Sequence, residues 1–225
     1  MRTSKSTARL VGVLFILASA TAIIGGSLLL PIEESDFLST GGGQVQLVTG
    51  ALLEMALAAS VITIAALLLP VLRPSNEPVA VLYVATRALE AALIVAGAIS
   101  ALVMTSLVGT QATPAMGGLV LSSREWTYRI GTLVVFGAGA VILNALLLRG
   151  RQVPSWLAWW GLSGGALLLL RGVIEMYGIE LAGAAQVALA APIGIEEMVF
   201  AVWLIVKGFT GQGQRRPGLA APAPE

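Results

Sequence analysis

Histidine and cysteine are both absent from the 225 residues, and charged side chains make up only 11% of them. Without cysteine there are no disulfides, no thiolate nucleophile and no zinc–thiolate site. Without histidine there is no imidazole acid–base catalysis and no imidazole metal ligand. No cofactor is expected on these grounds. The scarcity of charge has a different meaning. A soluble domain carries about a quarter charged residues, so a chain this poor in them would expose apolar patches larger than soluble monomers tolerate. The formal net charge is +1, which gives no field that would attract nucleic acid.

What the sequence has instead is apolar length: 57% of its residues are hydrophobic. A membrane-crossing helix needs about 20 mostly apolar residues. Six such runs are predicted, at roughly 9–30, 45–69, 79–108, 126–148, 155–178 and 185–207. The expected class is all-α, a polytopic bundle of six transmembrane helices over residues 1–208 in a lipid bilayer. A disordered tail is expected over 209–225. The separators at Arg73–Pro78 and Arg149–Pro154 are short and rich in helix breakers. The 109–125 stretch, with Pro114 and Gly117-Gly118, reads as a loop whose apolar Met116, Leu119, Val120 and Leu121 would let it dip into the interface.

Basic residues set a direction. With the N-terminus inside, Arg2, Lys5, Arg9, Arg73, Arg149, Arg151, Lys207, Arg215 and Arg216 fall on the cytoplasmic side and only Arg124 falls in an outer loop. Both termini are therefore expected in the cytoplasm, with the protein in the plasma membrane. A basic start followed by Leu10–Leu17 and Ala18-Ser19-Ala20 imitates a cleavable signal. The apolar run continues through Ile23, Ile24 and Leu28–Leu30, so an uncleaved first helix is expected. Ala88, Ala92, Ala96 and Ser100 on the third span, and Gly161 and Gly165 on the fifth, recur at four-residue spacing and are expected to mark tight helix contacts. Trp126, Tyr128, Trp156, Trp159, Trp160 and Tyr177 lie near span ends and read as interface anchors.

The informative residues are the ionisable ones within spans: Glu54, Arg87, Glu90, Arg129, Arg171, Glu175, Glu196 and Glu197. A charge at mid-bilayer costs about 2.5–3.5 kcal/mol even on lenient insertion scales, so these groups should converge away from lipid. Arg171 and Glu175 are four apart and Arg87 and Glu90 three apart, which places each pair on one helix face. Glu196 and Glu197 diverge by about 100°, and Glu197 is the one expected to point inward. Pro192 and Gly194 sit one turn before them, and a proline kink would leave carbonyls beside these carboxylates. The candidate ligand- or ion-binding set is thus Glu54, Arg87, Glu90, Arg129, Arg171, Glu175 and Glu197, in one polar chamber open to the outer side. Five glutamates against three arginines leave a formal −2, to be balanced by protonation or by a bound cation.

The closing segment Glu197–Gly208, with its Glu…Trp-Leu…Lys-Gly pattern, resembles a bacterial integral-membrane family described as domain of unknown function 4386. Arg87-Ala88-Leu89-Glu90 and Arg149…Pro154-Ser155-Trp156-Leu157 support the likeness. The resemblance implies six helices and no established activity.

Three roles for the charges stay open. They could form a site that binds or transports a small molecule, lipid or ion. They could be ion pairs that only fix helix packing in a structural or regulatory protein, with a homo-oligomer as one arrangement. They could serve an intramembrane lipid hydrolase using paired carboxylates. The residues lean away from an enzyme, because no Gly-x-Ser-x-Gly elbow is present and neighbouring glutamates diverge on a helix. Retinal chemistry is excluded, since no lysine lies mid-span and Lys207 is at the membrane edge.

Overall fold

A computed structural model describes residues 5–34 and 36–210. Helix α1 (Lys5–Leu29) ends where Pro31 opens a 3-10 turn over Leu30–Glu33, and a single-turn α2 (Phe37–Thr40) follows. Gly41 stops α2 in the left-handed conformation at φ +61 and donates its N–H to Phe37 O, a geometry that suits a residue without Cβ. Next come α3 (Gln44–Leu72), α4 (Glu77–Leu107), α5 (Pro114–Tyr128), a π-helical segment (Arg129–Val135), α6 (Phe136–Arg149), α7 (Ser155–Met176) and α8 (Gly183–Val206). Starts follow ordinary capping chemistry. The Asn76 side chain accepts the Val79 N–H ahead of α4, and Thr113 accepts the Met116 N–H ahead of α5, each with proline in the first turn.

Six helical rods are long and apolar enough to cross a membrane, and no strand occurs among the described residues. The protein is an all-α polytopic bundle. Successive rods are neighbours: α1 packs on α3, α3 on α4, α4 on α5 and α6, α6 on α7, α7 on α8, and α8 returns to α1. The result is a closed ring. Residues near both chain ends and the 73–76 and 150–154 connections share one end of it, here termed proximal. The 30–43, 108–113 and 177–182 connections form the distal end.

The rods are apolar outside as well as inside. Val45, Leu119, Ile23, Val206 and Val187 are among the most exposed side chains, as a lipid-facing surface requires. The ring is closed by small residues, since helices in lipid gain stability from close approach. Gly161, Gly165 and Gly137 bring α6 and α7 together, and Gly164 lies against the backbone of α8 at Pro192 and Ile193. The other small row behaves differently. Ala88 and Ala92 are exposed and Ala96 and Ser100 only half-buried, so α4 turns Ala80, Tyr83, Arg87, Glu90, Gly97 and Ala101 inward instead. Small-residue spacing marks a face but does not say whether a partner covers it.

Two segments depart from expectation. The 109–125 stretch is not a loop, because α5 starts at Pro114 and runs through the π turn into α6, a rod of 36 residues from Pro114 to Arg149. At about 1.5 Å per residue that rod exceeds a hydrocarbon core of about 30 Å, so the distal turns of α5 stand above it. The tail expected from 209 begins folded: Thr210 donates its N–H to Gln152 O at 2.8 Å and its hydroxyl to Arg151 O, and Phe209 packs on the core. The rest of that tail, 211–225, and Arg2, Arg215 and Arg216 lie outside the described residues.

Candidate functional site

The ring encloses a cavity of about 720 Å³, within the range of small-molecule sites. Its walls come from α1 (Phe15, Ala18, Ala22, Gly26), α3 (Leu57, Val61), α4 (Leu93, Ile94) and the α5–π–α6 rod (Leu121, Tyr128, Thr132, Phe136). Exposed Leu30, Glu33, Ser122 and Glu125 rim its distal mouth. No residue of α7 lines it, and α8 contributes only Glu197. The π segment sets one wall. There Phe136 donates its N–H to Gly131 O, five residues back, and this wider turn keeps Tyr128, Thr132 and Phe136 on the cavity side.

Halfway down the mouth, Glu54 of α3 receives both terminal nitrogens of Arg124, at 2.6 and 3.0 Å, and Arg124 Nη1 also donates to Gly97 O of α4 at 2.7 Å. One guanidinium therefore ties three rods together. Arg124→Leu should lower the unfolding midpoint in nanodiscs by the equivalent of about 1–3 kcal/mol, with Arg124→Lys intermediate. An unchanged midpoint would show the clamp to be decorative.

The floor is built differently. Arg87 Nη1 stands 2.9 Å from Glu90 Oε2, both side chains being almost fully buried, and the guanidinium lies over the Phe136 ring at 5.1 Å. Arg87 Nε and Glu90 Oε2 nevertheless make no aligned hydrogen bond. Glu197 faces the cavity beside them and neither hydrogen-bonds nor ion-pairs with any described residue. Behind it a void of about 10 Å³, room for roughly one water, is lined by Tyr83, Asn144, Glu196 and Phe200 among others. Tyr83 Oη and Glu196 Oε1 have no partner there. Glu196 is only 2% exposed, so the expectation that Glu197 alone points inward is corrected. With the small void among α1, α4 and α6 on one side and the large cavity on the other, the two glutamates both find the interior. Helix α8 runs unbroken through Pro192. The carbonyl that proline leaves free is that of Ala188, about 12 Å along the axis from Glu196, so it does not serve these carboxylates.

A second group of charges stands apart from the cavity. Arg171 Nε bonds Glu175 Oε1 at 2.7 Å, and its terminal nitrogens reach Gln186 O and Oε1 at the start of α8. Arg129 donates to Glu175 O at 3.1 Å, pairs with Glu125 and covers the Trp126 ring. These guanidinium contacts fasten α7 to α8 and to the α5–π rod. The seven residues expected in one chamber thus divide. Glu54, Arg87, Glu90 and Glu197 line the cavity, whereas Arg129, Arg171 and Glu175 form a clamp outside it. Only Glu125 touches both groups. The cavity lies chiefly between the first four spans.

Sequence reasoning missed Arg124, Glu125, Glu33 and Thr132 as cavity residues. For Arg124 and Glu125 a signal existed: Thr113-Pro114 is a helix start, and continuing the helical period from there places both on a span. Tyr128, read as an interface anchor, lines the cavity. Among the described residues no group of three or more acidic side chains is arranged to hold a metal ion.

These features define a multi-pass membrane protein with a largely apolar, distally open cavity that carries buried charged groups at its floor. The chain belongs to the family described as Domain of unknown function (DUF4386), whose model matches residues 10–208. Neither the curated proteins nor the solved structures offer a match.

Proposed function

We propose that this protein binds a small molecule in its central cavity, taken up through the distal mouth, and that the distal end faces the cell exterior in the plasma membrane with both termini in the cytoplasm. The observation that carries this reading is the floor. Beside a large open volume Arg87 Nε makes no hydrogen bond, and Glu90 Oε2 meets Arg87 Nη1 only in an unaligned ion pair. Glu196 Oε1 has no hydrogen bond beside the small void behind, and unsatisfied buried polar groups are costly. A bundle that used charges only to fix packing would satisfy them, as the Arg171–Glu175–Gln186 clamp does. The packing role accordingly fits that clamp and the Glu54–Arg124 tie, and leaves the floor unexplained. Glu196 and Glu197 both border the small void, but only Glu197 reaches the large cavity. A ligand there meets one of the two carboxylates rather than a pair, which argues against a paired-carboxylate hydrolase.

The cysteine-free background offers a direct test. Single variants Ala22→Cys and Ser122→Cys, which line the cavity, should react with a membrane-impermeant methanethiosulfonate added to intact cells. Ile24→Cys, which faces outward on α1, should not. Equal labelling of Ile24→Cys and Ala22→Cys would sink the cavity reading. Labelling confined to inside-out vesicles would keep the cavity and reverse the orientation.

A further inference from the structure

We infer that the ligand of this cavity is an amphiphilic organic cation whose head carries N–H donors, an alkylammonium, amidinium or guanidinium, held head-down against Glu197. The inference rests on the cavity being a binding site and adds the chemistry of what fills it.

Charge is the first ground. Of the groups lining the cavity, Arg124 is consumed by Glu54, Arg87 by Glu90, and Glu125 by Arg129 outside it. Among the described residues Glu197 at the floor has only a share of Arg87, which Glu90 already engages at 2.9 Å. Glu33 at the rim has no basic partner among them, and Glu196 adds a further carboxylate behind the floor, so carboxylates outnumber guanidinium groups there. An anionic head would have to settle among Glu90, Glu196 and Glu197, with one guanidinium already committed to Glu90 and to the Phe136 face. A cation meets the opposite situation.

Hydrogen-bond inventory narrows the class. The open positions at the floor are mainly acceptors: the Glu197 carboxylate and, behind it, Glu196 Oε1. An ammonium has three donors and a guanidinium five, whereas a quaternary ammonium has none and would match only the charge. Shape supplies the third ground. Above the floor the shaft is walled by Phe15, Leu57, Val61, Leu93 and Ile94, apolar surface that a bare inorganic cation would leave wetted and an alkyl or aryl body would cover.

The test uses the full chain in phosphatidylcholine nanodiscs, with the unfolding midpoint followed against octylammonium, octyltrimethylammonium, octanoate, octanol and sodium chloride. Octylammonium alone should raise the midpoint saturably. Glu197→Gln should weaken its apparent Kd by about tenfold to a hundredfold, the effect of one charge-assisted hydrogen bond. Ala18→Phe, which narrows the shaft without removing a charge, should abolish the shift. If Glu197→Gln fails to fold, Glu197→Asp, which withdraws the carboxylate by one methylene, takes its place and should also weaken binding. Preference for octanoate, equal responses to octanol or octyltrimethylammonium, a response to sodium chloride alone, or no response to octylammonium would each overturn the inference. Thiol labelling of Ala22→Cys but not Ile24→Cys would leave the cavity itself standing in every one of those cases.

Discussion

Arg87→Leu should be the most damaging single charge removal in the bundle, lowering stability by about 3–5 kcal/mol, as expected when one partner of a buried pair is lost. The guanidinium is the one positive group at the cavity floor, and three glutamates, Glu90, Glu196 and Glu197, stand around it. Removing it leaves them unbalanced and strips the Phe136 ring of its cation. The double variant Arg87→Leu/Glu90→Leu should recover a large part of the loss, because replacing both partners by apolar groups removes the desolvation cost along with the attraction. Glu197→Gln should behave oppositely from the outset. It forfeits only a longer-range attraction to Arg87, with no direct hydrogen bond or close ion pair, and is relieved of the larger cost of burying a charge, so it should leave the unfolding midpoint unchanged or raise it. Thermal unfolding of the four proteins in one lipid decides the matter. If Glu197→Gln proves as destabilising as Arg87→Leu, the floor is a packing device and the carboxylate is held for structural reasons.

That contrast also shows which parts of the molecule were legible in the sequence. Membrane insertion follows from backbone hydrogen bonding and apolar length, both local properties, so five of the six rods fall within a few residues of expectation. The fourth starts earlier than expected, since Pro114 and Gly117-Gly118 look like loop chemistry. In a rod partly above the hydrocarbon, polar and small residues cost a helix little, and the cap at Thr113-Pro114 was the stronger signal. That charges should avoid lipid was equally legible. Which charges would meet was not. Convergence of Arg171 with Glu175 and of Arg87 with Glu90 comes from i,i+4 and i,i+3 spacing within one helix. Glu54 and Arg124 are 70 residues apart, and their meeting depends on ring order and helix rotation, which no local period encodes. The π segment adds a rotation that a 3.6-residue wheel cannot carry. It helps explain why Arg129 lies in the outer clamp while Thr132 and Phe136 face the cavity.

Gly164→Leu should prevent the protein from assembling its site, even though residue 164 touches neither the cavity nor a charge. A Cβ at that position would stand 2.8 Å from the backbone nitrogen of Ile193, 3.0 Å from its Cα and 3.1 Å from the carbonyl carbon of Pro192. All three obstacles are main chain, so no rotamer change relieves them, and α7 and α8 must separate. The segment displaced is the one that carries Glu196 and Glu197 one turn later, and the void shared by Tyr83, Asn144 and Glu196 would open with it. A loss of at least about 3 kcal/mol is expected, above the usual cost of overpacking because backbone rather than side chain must yield. Gly194→Ala, on the same turn of α8 but with nothing within 4 Å of its Cβ, should be neutral or slightly stabilising through helix propensity. Unfolding midpoints and octylammonium titrations on both variants separate packing from site. Should Gly164→Leu unfold and bind as the parent chain does, contact between α7 and α8 is not what aims the two glutamates, and the floor must be held by α1 and α4 alone.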